Sequence, residues 1–192
     1  MKKFPVVFDL ETKYTFREFS DQKKLGITVA AIYDYAQEKN QVFTEKEING
    51  LFPILENASY IVGFNINNFD LPVLSAYYPG NTRRFATFDI LDDIKNKIGR
   101  RLALNDVLGA TLGKKKTGHG LNAINLYREG KIKELSQYCL DDVLLTKELF
   151  EYGAKKGEIN YLTEKGKAVI KVKWKKYLEE STNNDTHLTL PF

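Results

Sequence analysis

Asp9 and Glu11, in the stretch FDLETK (Phe8 to Lys13), stand two residues apart at the end of the first apolar run of the chain. On an extended strand, residues i and i+2 point to one face, so the two carboxylates share a face and Leu10 takes the other. Like charges about 6 to 7 Å apart repel unless a cation or a proton lies between them. Taken alone, such a pair is a solvated strand end as readily as a cation site. A further acid, Asp70, closes IVGFNINNFD, where an apolar strand passes through a polar turn of Asn65, Asn67 and Asn68 into a helix start. With Pro72 in the first turn, that Asp also reads as an N-cap. In LSQYCLDDVLLTKELF (Leu135 to Phe150), helical spacing puts Leu135, Cys139, Leu140, Val143 and Leu144 on an apolar face. Tyr138 and Asp142, at i and i+4, project together from its flank, and Asp141 lies farther round toward solvent.

The elements that must position these groups follow from periodicity. Phe4 to Phe8, Ile27 to Tyr35 and Gln41 to Phe43 read as three successive strands. A helix over Ile48 to Leu55, a strand over Tyr60 to Phe64, a helix over Leu71 to Tyr78 ended by Pro79-Gly80, and a strand over Arg84 to Phe88 come next. Helical patterns then dominate from Asp92 to Tyr152, broken by glycines. This order predicts an α/β fold, a central mixed β-sheet flanked by α-helices.

Composition narrows the class. A chain of 192 residues, 43% hydrophobic, is long enough for one domain with a sizeable core. Cys139 is the single cysteine, which excludes an internal disulfide and a cysteine-built zinc site and fits a reducing compartment. The start lacks the apolar core of a signal peptide, and no run approaches the roughly 20 apolar residues of a membrane span, so a soluble, cytoplasmic protein is expected. The net charge of +4 is small. The cations nevertheless cluster, in GKKKTGHG (Lys114, Lys115 and Lys116) and between Lys155 and Lys176, as they would to meet an anionic polymer or simply to keep a loop and an edge strand solvated.

FDLET, GFNINNFD and YCLDD, in this order and in these strand, turn-helix and helix settings, resemble the motifs of the DnaQ-like 3'-5' exonucleases, the DEDD superfamily of ribonuclease H-like fold. The likeness covers roughly residues 4 to 152 and is strongest toward the proofreading domains of family-B DNA polymerases. Tyr138 and Asp142 match the Tyr-x-x-x-Asp spacing of the tyrosine branch, whereas the histidine branch wants His where Gln137 stands. The resemblance implies hydrolysis of phosphodiester bonds at the 3' end of single-stranded DNA or RNA, DNA favoured, with two Mg²⁺ or Mn²⁺ ions. Hard oxygen donors suit those ions, and a pair of them stabilises both ends of an in-line displacement. It also implies that Asp9 bridges the ions, that Glu11 and Asp142 complete the first site, that Asp70 helps hold the second, and that Tyr138 orients the attacking water. A binding module of the same fold with a decayed site and an RNA-trimming exoribonuclease are the alternatives.

In similar proteins the residues after the first acid hold the terminal nucleotide, which implicates Leu10 against the base and Thr12 near the 3' hydroxyl. Asn65 matches the asparagine of the second motif, Phe69 is a wedge or a core residue, and Lys114, Lys115 and Lys116 are expected on the strand's phosphates. The exonuclease domain is drawn at residues 1–153. A basic β-hairpin appendage follows at 154–178, turned at Glu164 to Gly166, with Ile170, Val172 and Trp174 on its apolar face. The tail, 179–192, has linker composition but ends in HLTLPF, which resembles the sliding-clamp-binding peptides of bacterial replication proteins through Leu188, Leu190 and Phe192, with His187 in place of the usual Gln. A terminal strand docked on its own domain is the alternative.

Overall fold

The computed structural model describes residues 2–116, 120–179 and 181–182. A short strand, β1 (Lys2–Lys3), leads into β2 (Val6–Thr12), and β3 (Ile27–Asp34) and β4 (Lys39–Thr44) return beside it as an antiparallel meander. Next come α1 (Phe52–Asn57), β5 (Ile61–Gly63), α2 (Asp70–Leu74) and β6 (Thr87–Asp89). β5 and β6 add in parallel on the other side of β2, so the five-stranded sheet has the order β4-β3-β2-β5-β6. This is the mixed sheet expected, with β2 at its centre.

Alternation along the strands divides the core. Val6, Phe8 and Leu10 of β2, with Ala30 and Ile32 of β3, pack against Leu55 of α1 and Leu71 and Leu74 of α2. Val7, Val29, Ala31 and Val62 face the other way, against α3 (Ile90–Ile98), α4 (Leu104–Leu112), α5 (Gly120–Arg128) and the long α6 (Ile132–Lys156). Gly99 and Gly113 adopt φ of 73° and 69° and end α3 and α4, a left-handed turn that other residues resist. On α6, Leu135, Cys139 and Val143 are buried as their spacing requires. Asp9 and Glu11 follow Val7 on the face turned to α6.

Strand and helix limits depart from the periodic reading where local hydrogen bonding decides. β2 runs on to Thr12 because β3 pairs with it through Asp9, Leu10 and Glu11. The helix expected from Ile48 begins instead as a 3-10 segment (Glu45–Gly50), with Glu47 accepting from the Thr44 backbone N–H, before Pro53 opens α1. β6 begins at Thr87, not Arg84, since Thr82–Arg84 closes into a turn capped by Asn81.

α6 continues past residue 153 to Lys156, and β7 (Glu158–Thr163) and β8 (Gly166–Lys171) then form the antiparallel hairpin. Ile170, Val172 and Trp174 are buried on the main body, where the Trp174 indole N–H donates to Asp93 at 2.8 Å. A short α7 (Lys175–Leu178) precedes β9 (Ser181–Thr182), which pairs antiparallel with β1. Leu188, Leu190 and Phe192 lie outside the described residues, as does His119. No helix among the described residues is long and apolar enough to cross a membrane.

Candidate active site

Three of the acids converge. Asp9 and Glu11 on β2 and Asp142 on α6 each place a carboxylate oxygen within 4.8 Å of the others. Period-2 spacing on the strand supplies two of them, and packing of Cys139 and Val143 under β2 and β3 turns the flank of α6 toward the pair. The Cys139 thiol lies 3.8 Å from Asp9 Oδ2 and 3.6 Å from the Asp9 carbonyl oxygen.

Asp70 joins from α2, by a route that contradicts its reading as an N-cap. Phe69 occupies the cap position, and Asp70 is the first residue of the helix. Its Oδ1 accepts from the Leu10 backbone N–H at 3.0 Å, sixty positions away in the chain, and it is 2% exposed. The N–H that holds it belongs to the residue between Asp9 and Glu11, so the fourth carboxylate is fastened directly to the strand that carries the first two.

Burial and mutual repulsion govern the charge state. Burial first, then Asp142, push Asp9 up to about 7, against the pull of Lys116 and the Cys139 thiol. Glu11 rises for the same reasons, through burial and then Asp9 and Asp142. Asp70 rises through burial and Asp9, opposed by the Leu10 N–H. Asp142 rises through burial, offset by Lys116, whose Nζ sits 2.5 Å from its Oδ2. The Lys116 ammonium, which burial alone would lower, is held above its usual range by Asp9 and Asp142. Tyr138 also rises, through burial and the Asp142 charge, and its buried hydroxyl has no hydrogen-bond partner among the described residues.

This donor set fits a divalent cation. Carboxylate oxygens at this spacing, raised in pKa by one another, match the hard-ligand chemistry of Mg²⁺ or Mn²⁺. An unpartnered buried phenol on the same face is a polar group that the protein itself does not satisfy.

The expected substrate residues fare differently. The Leu10 side chain is buried in the core on the face opposite the acids, and Thr12 is 6% exposed with its hydroxyl donating to the Tyr14 carbonyl oxygen, so neither side chain reaches the cluster as drawn. Lys114 extends from the site to pair with Glu148, and Lys115 is exposed. Lys116 is an internal counter-ion to Asp142 and not a free phosphate ligand, because the acids attract it more strongly than solvent does. Asn65 has a φ of 71°, a conformation asparagine tolerates, and its side-chain oxygen accepts from Arg101 at 2.6 Å. Phe69 packs at the edge of the core.

Asp89 went unremarked in the sequence. It caps α3 through Leu91 N at 2.9 Å, and it also accepts from Asn65 N at 2.8 Å and Asn67 N at 3.0 Å. One buried carboxylate therefore clamps the turn that delivers Phe69 and Asp70. Its place before an apolar helix signals the cap; nothing local signals the second task.

A family model for the RNase H superfamily matches residues 6–153, and the chain belongs to that superfamily. Comparison with characterised protein sequences gives no match. Among solved structures, the family B DNA polymerase of the hyperthermophilic archaeon Pyrobaculum calidifontis superposes with a TM-score of 0.59 at 17% identity, over 80% of this chain and 24% of that one. Trypanosoma brucei RNase D superposes with a TM-score of 0.53 at 16% identity, over 78% of this chain and 57% of that one. The fold is thus shared with both, and the chain spans about a quarter of the first and somewhat over half of the second.

Proposed function

We infer that the protein is a metal-dependent 3'-5' exonuclease of the tyrosine branch, removing nucleotides from single-stranded nucleic acid, DNA in preference. The observation that carries this is the convergence of Asp9, Glu11 and Asp142 within 4.8 Å, with Asp70 bonded to the intervening Leu10. The fold it shares with a DNA polymerase and with RNase D supports the same reading.

Asp9, Glu11 and Asp142 would hold divalent ions, with Asp70 completing the set; when bound, such ions supply charge stabilisation for the phosphate and acidify a coordinated water. The Leu10 N–H keeps Asp70 aimed as the site fills. Tyr138 stays protonated at neutral pH, since its pKa lies above the usual phenol value, so it serves as a hydrogen-bond partner that orients the attacking water and not as a base. Lys116 neutralises part of the acidic charge until ions and phosphate arrive.

The test is a 5'-labelled single strand, as DNA and as RNA, incubated with MgCl₂. Stepwise shortening that Asp9→Ala or Asp142→Ala abolishes is the expected result, whereas early release of the labelled nucleotide indicates the opposite polarity. Undiminished activity in Asp9→Ala rejects the site. A protein that binds the strand without shortening it is the inactive module of the same fold.

A further inference from the structure

The segment between β2 and β3 leaves aromatic rings outside the core. Tyr14, Phe16 and Phe19 are 41%, 53% and 38% exposed, and they make up three of the five exposed large hydrophobic side chains among the described residues. Their concentration in one loop calls for a reason that isolated surface hydrophobics do not. The loop is not slack. Glu18 accepts from the Thr15 backbone N–H at 2.8 Å and hydroxyl at 3.0 Å, and it pairs with Arg128 of α5 at 2.7 Å. At the far end, the Gln22 amide donates to the Asn68 carbonyl oxygen at 2.5 Å, tying the loop to the turn before Asp70. Polar contacts fix the backbone, and the rings are held out in water at the cost of their own burial.

The rings reach toward the acids. Tyr14 and Phe19 meet edge to face at 5.0 Å, and Phe16 meets Phe69 in the same manner at 5.7 Å. Phe69 directly precedes Asp70, and Tyr14 follows Glu11 by three positions, so the aromatic surface is continuous with the acidic site. Arg17, Lys23 and Lys24 are exposed along the same loop, while Glu18 is taken up by Arg128 and Asp21 by the Lys23 backbone N–H. The excess charge on this surface is positive. Rings interleaved with cations suit a polymer that alternates flat bases with phosphates, because every base offers a face to stack on and every phosphate a charge.

We propose that Tyr14, Phe16 and Phe19 form a base-stacking platform for the unpaired strand leading to the acidic site, so that substrate is held through its bases as well as its phosphates. The proposal rests on the exonuclease reading above and deepens it. It predicts tolerance of sequence but intolerance of missing bases.

The experiment is fluorescence anisotropy of the full chain with a labelled oligo-dT dodecamer in CaCl₂, beside the same strand carrying abasic sites near its 3' end. Phe16→Ala and Phe19→Ala should each weaken binding of the intact strand by roughly 5- to 100-fold, the range of one lost stacking contact. On the abasic strand the same substitutions should change affinity less than about 2-fold, and Phe16→Trp should restore binding of the intact strand. Melting curves establish that the variants fold. Unchanged affinity in both alanine variants overturns the platform and assigns the patch to a protein partner, leaving the nuclease reading intact. Equal losses on intact and abasic strands overturn stacking in favour of a purely structural role. Absence of binding by the wild-type chain itself defeats the underlying nucleic-acid reading.

Discussion

Replacing Asp9 by Asn should make the metal-free protein more stable, an unusual direction for a buried polar substitution. Asp9 is pushed up to about 7 by burial and Asp142, so between pH 4 and pH 7 the unfolded chain binds fewer protons than the folded one. Stability therefore falls as pH rises through that window. At about 1.36 kcal/mol per pKa unit, a rise from near 4 to about 7 amounts to roughly 4 kcal/mol at pH 8. Glu11 and Asp142 still repel each other in the variant, and the new amide is itself desolvated, so about half, roughly 2 kcal/mol, should be recovered. For a chain of this length that raises Tm by about 4–8 °C. Scanning calorimetry in EDTA from pH 4.5 to 8 measures it, and the gain should shrink toward zero as the pH approaches 4. With saturating MnCl₂ the order should reverse, because the wild type gains the linkage energy of binding, about 2.7 kcal/mol at a hundredfold excess over Kd, and the variant does not. An Asp9→Asn protein less stable than wild type in EDTA at pH 8, or a gain equal at pH 5 and pH 8, would refute the reasoning.

Other consequences can be measured in the same way. Tyr138→Phe removes a hydroxyl with no partner among the described residues, so thermal stability should hold within about 0.5 kcal/mol while turnover falls roughly 10- to 100-fold. Lys116→Ala should destabilise the protein in EDTA by about 1–3 kcal/mol through the charge left unpaired on Asp142, and titration with MnCl₂ should close most of that gap. Asp70→Ala strands the Leu10 N–H, costing about 1–3 kcal/mol by urea denaturation and at least a hundredfold in nuclease rate. Removing the chain from His187 onward should abolish co-elution with a bacterial sliding clamp if the tail peptide binds one, and should leave cleavage of short strands unchanged.

What the sequence disclosed and what it hid divide along the range of the interaction. The shared face of Asp9 and Glu11 and the pairing of Tyr138 with Asp142 are period-2 and i,i+4 relations, set by the local backbone and readable from spacing. The apolar alternation of Ile170, Val172 and Trp174 likewise foretold which face of the hairpin packs. Asp70 offered only a helix-cap reading, since its true partner, the Leu10 N–H, is remote in the chain and becomes a neighbour only when α2 docks on the sheet. Lys116 looked like a phosphate ligand because its loop gives no sign of facing Asp142. Asp89 hid behind its ordinary capping role, and the extent of β2 beyond Phe8 depended on a partner strand whose register single-strand periodicity does not contain.

The central claim is that the four carboxylates exist to hold divalent ions, and anomalous diffraction from crystals soaked in MnCl₂ tests it most directly. The account predicts manganese peaks bounded by carboxylate oxygens of Asp9, Glu11 and Asp142, with the Lys116 ammonium drawn away from Asp142. Saturating manganese that leaves no peak there, with Lys116 still seated on Asp142, would contradict it.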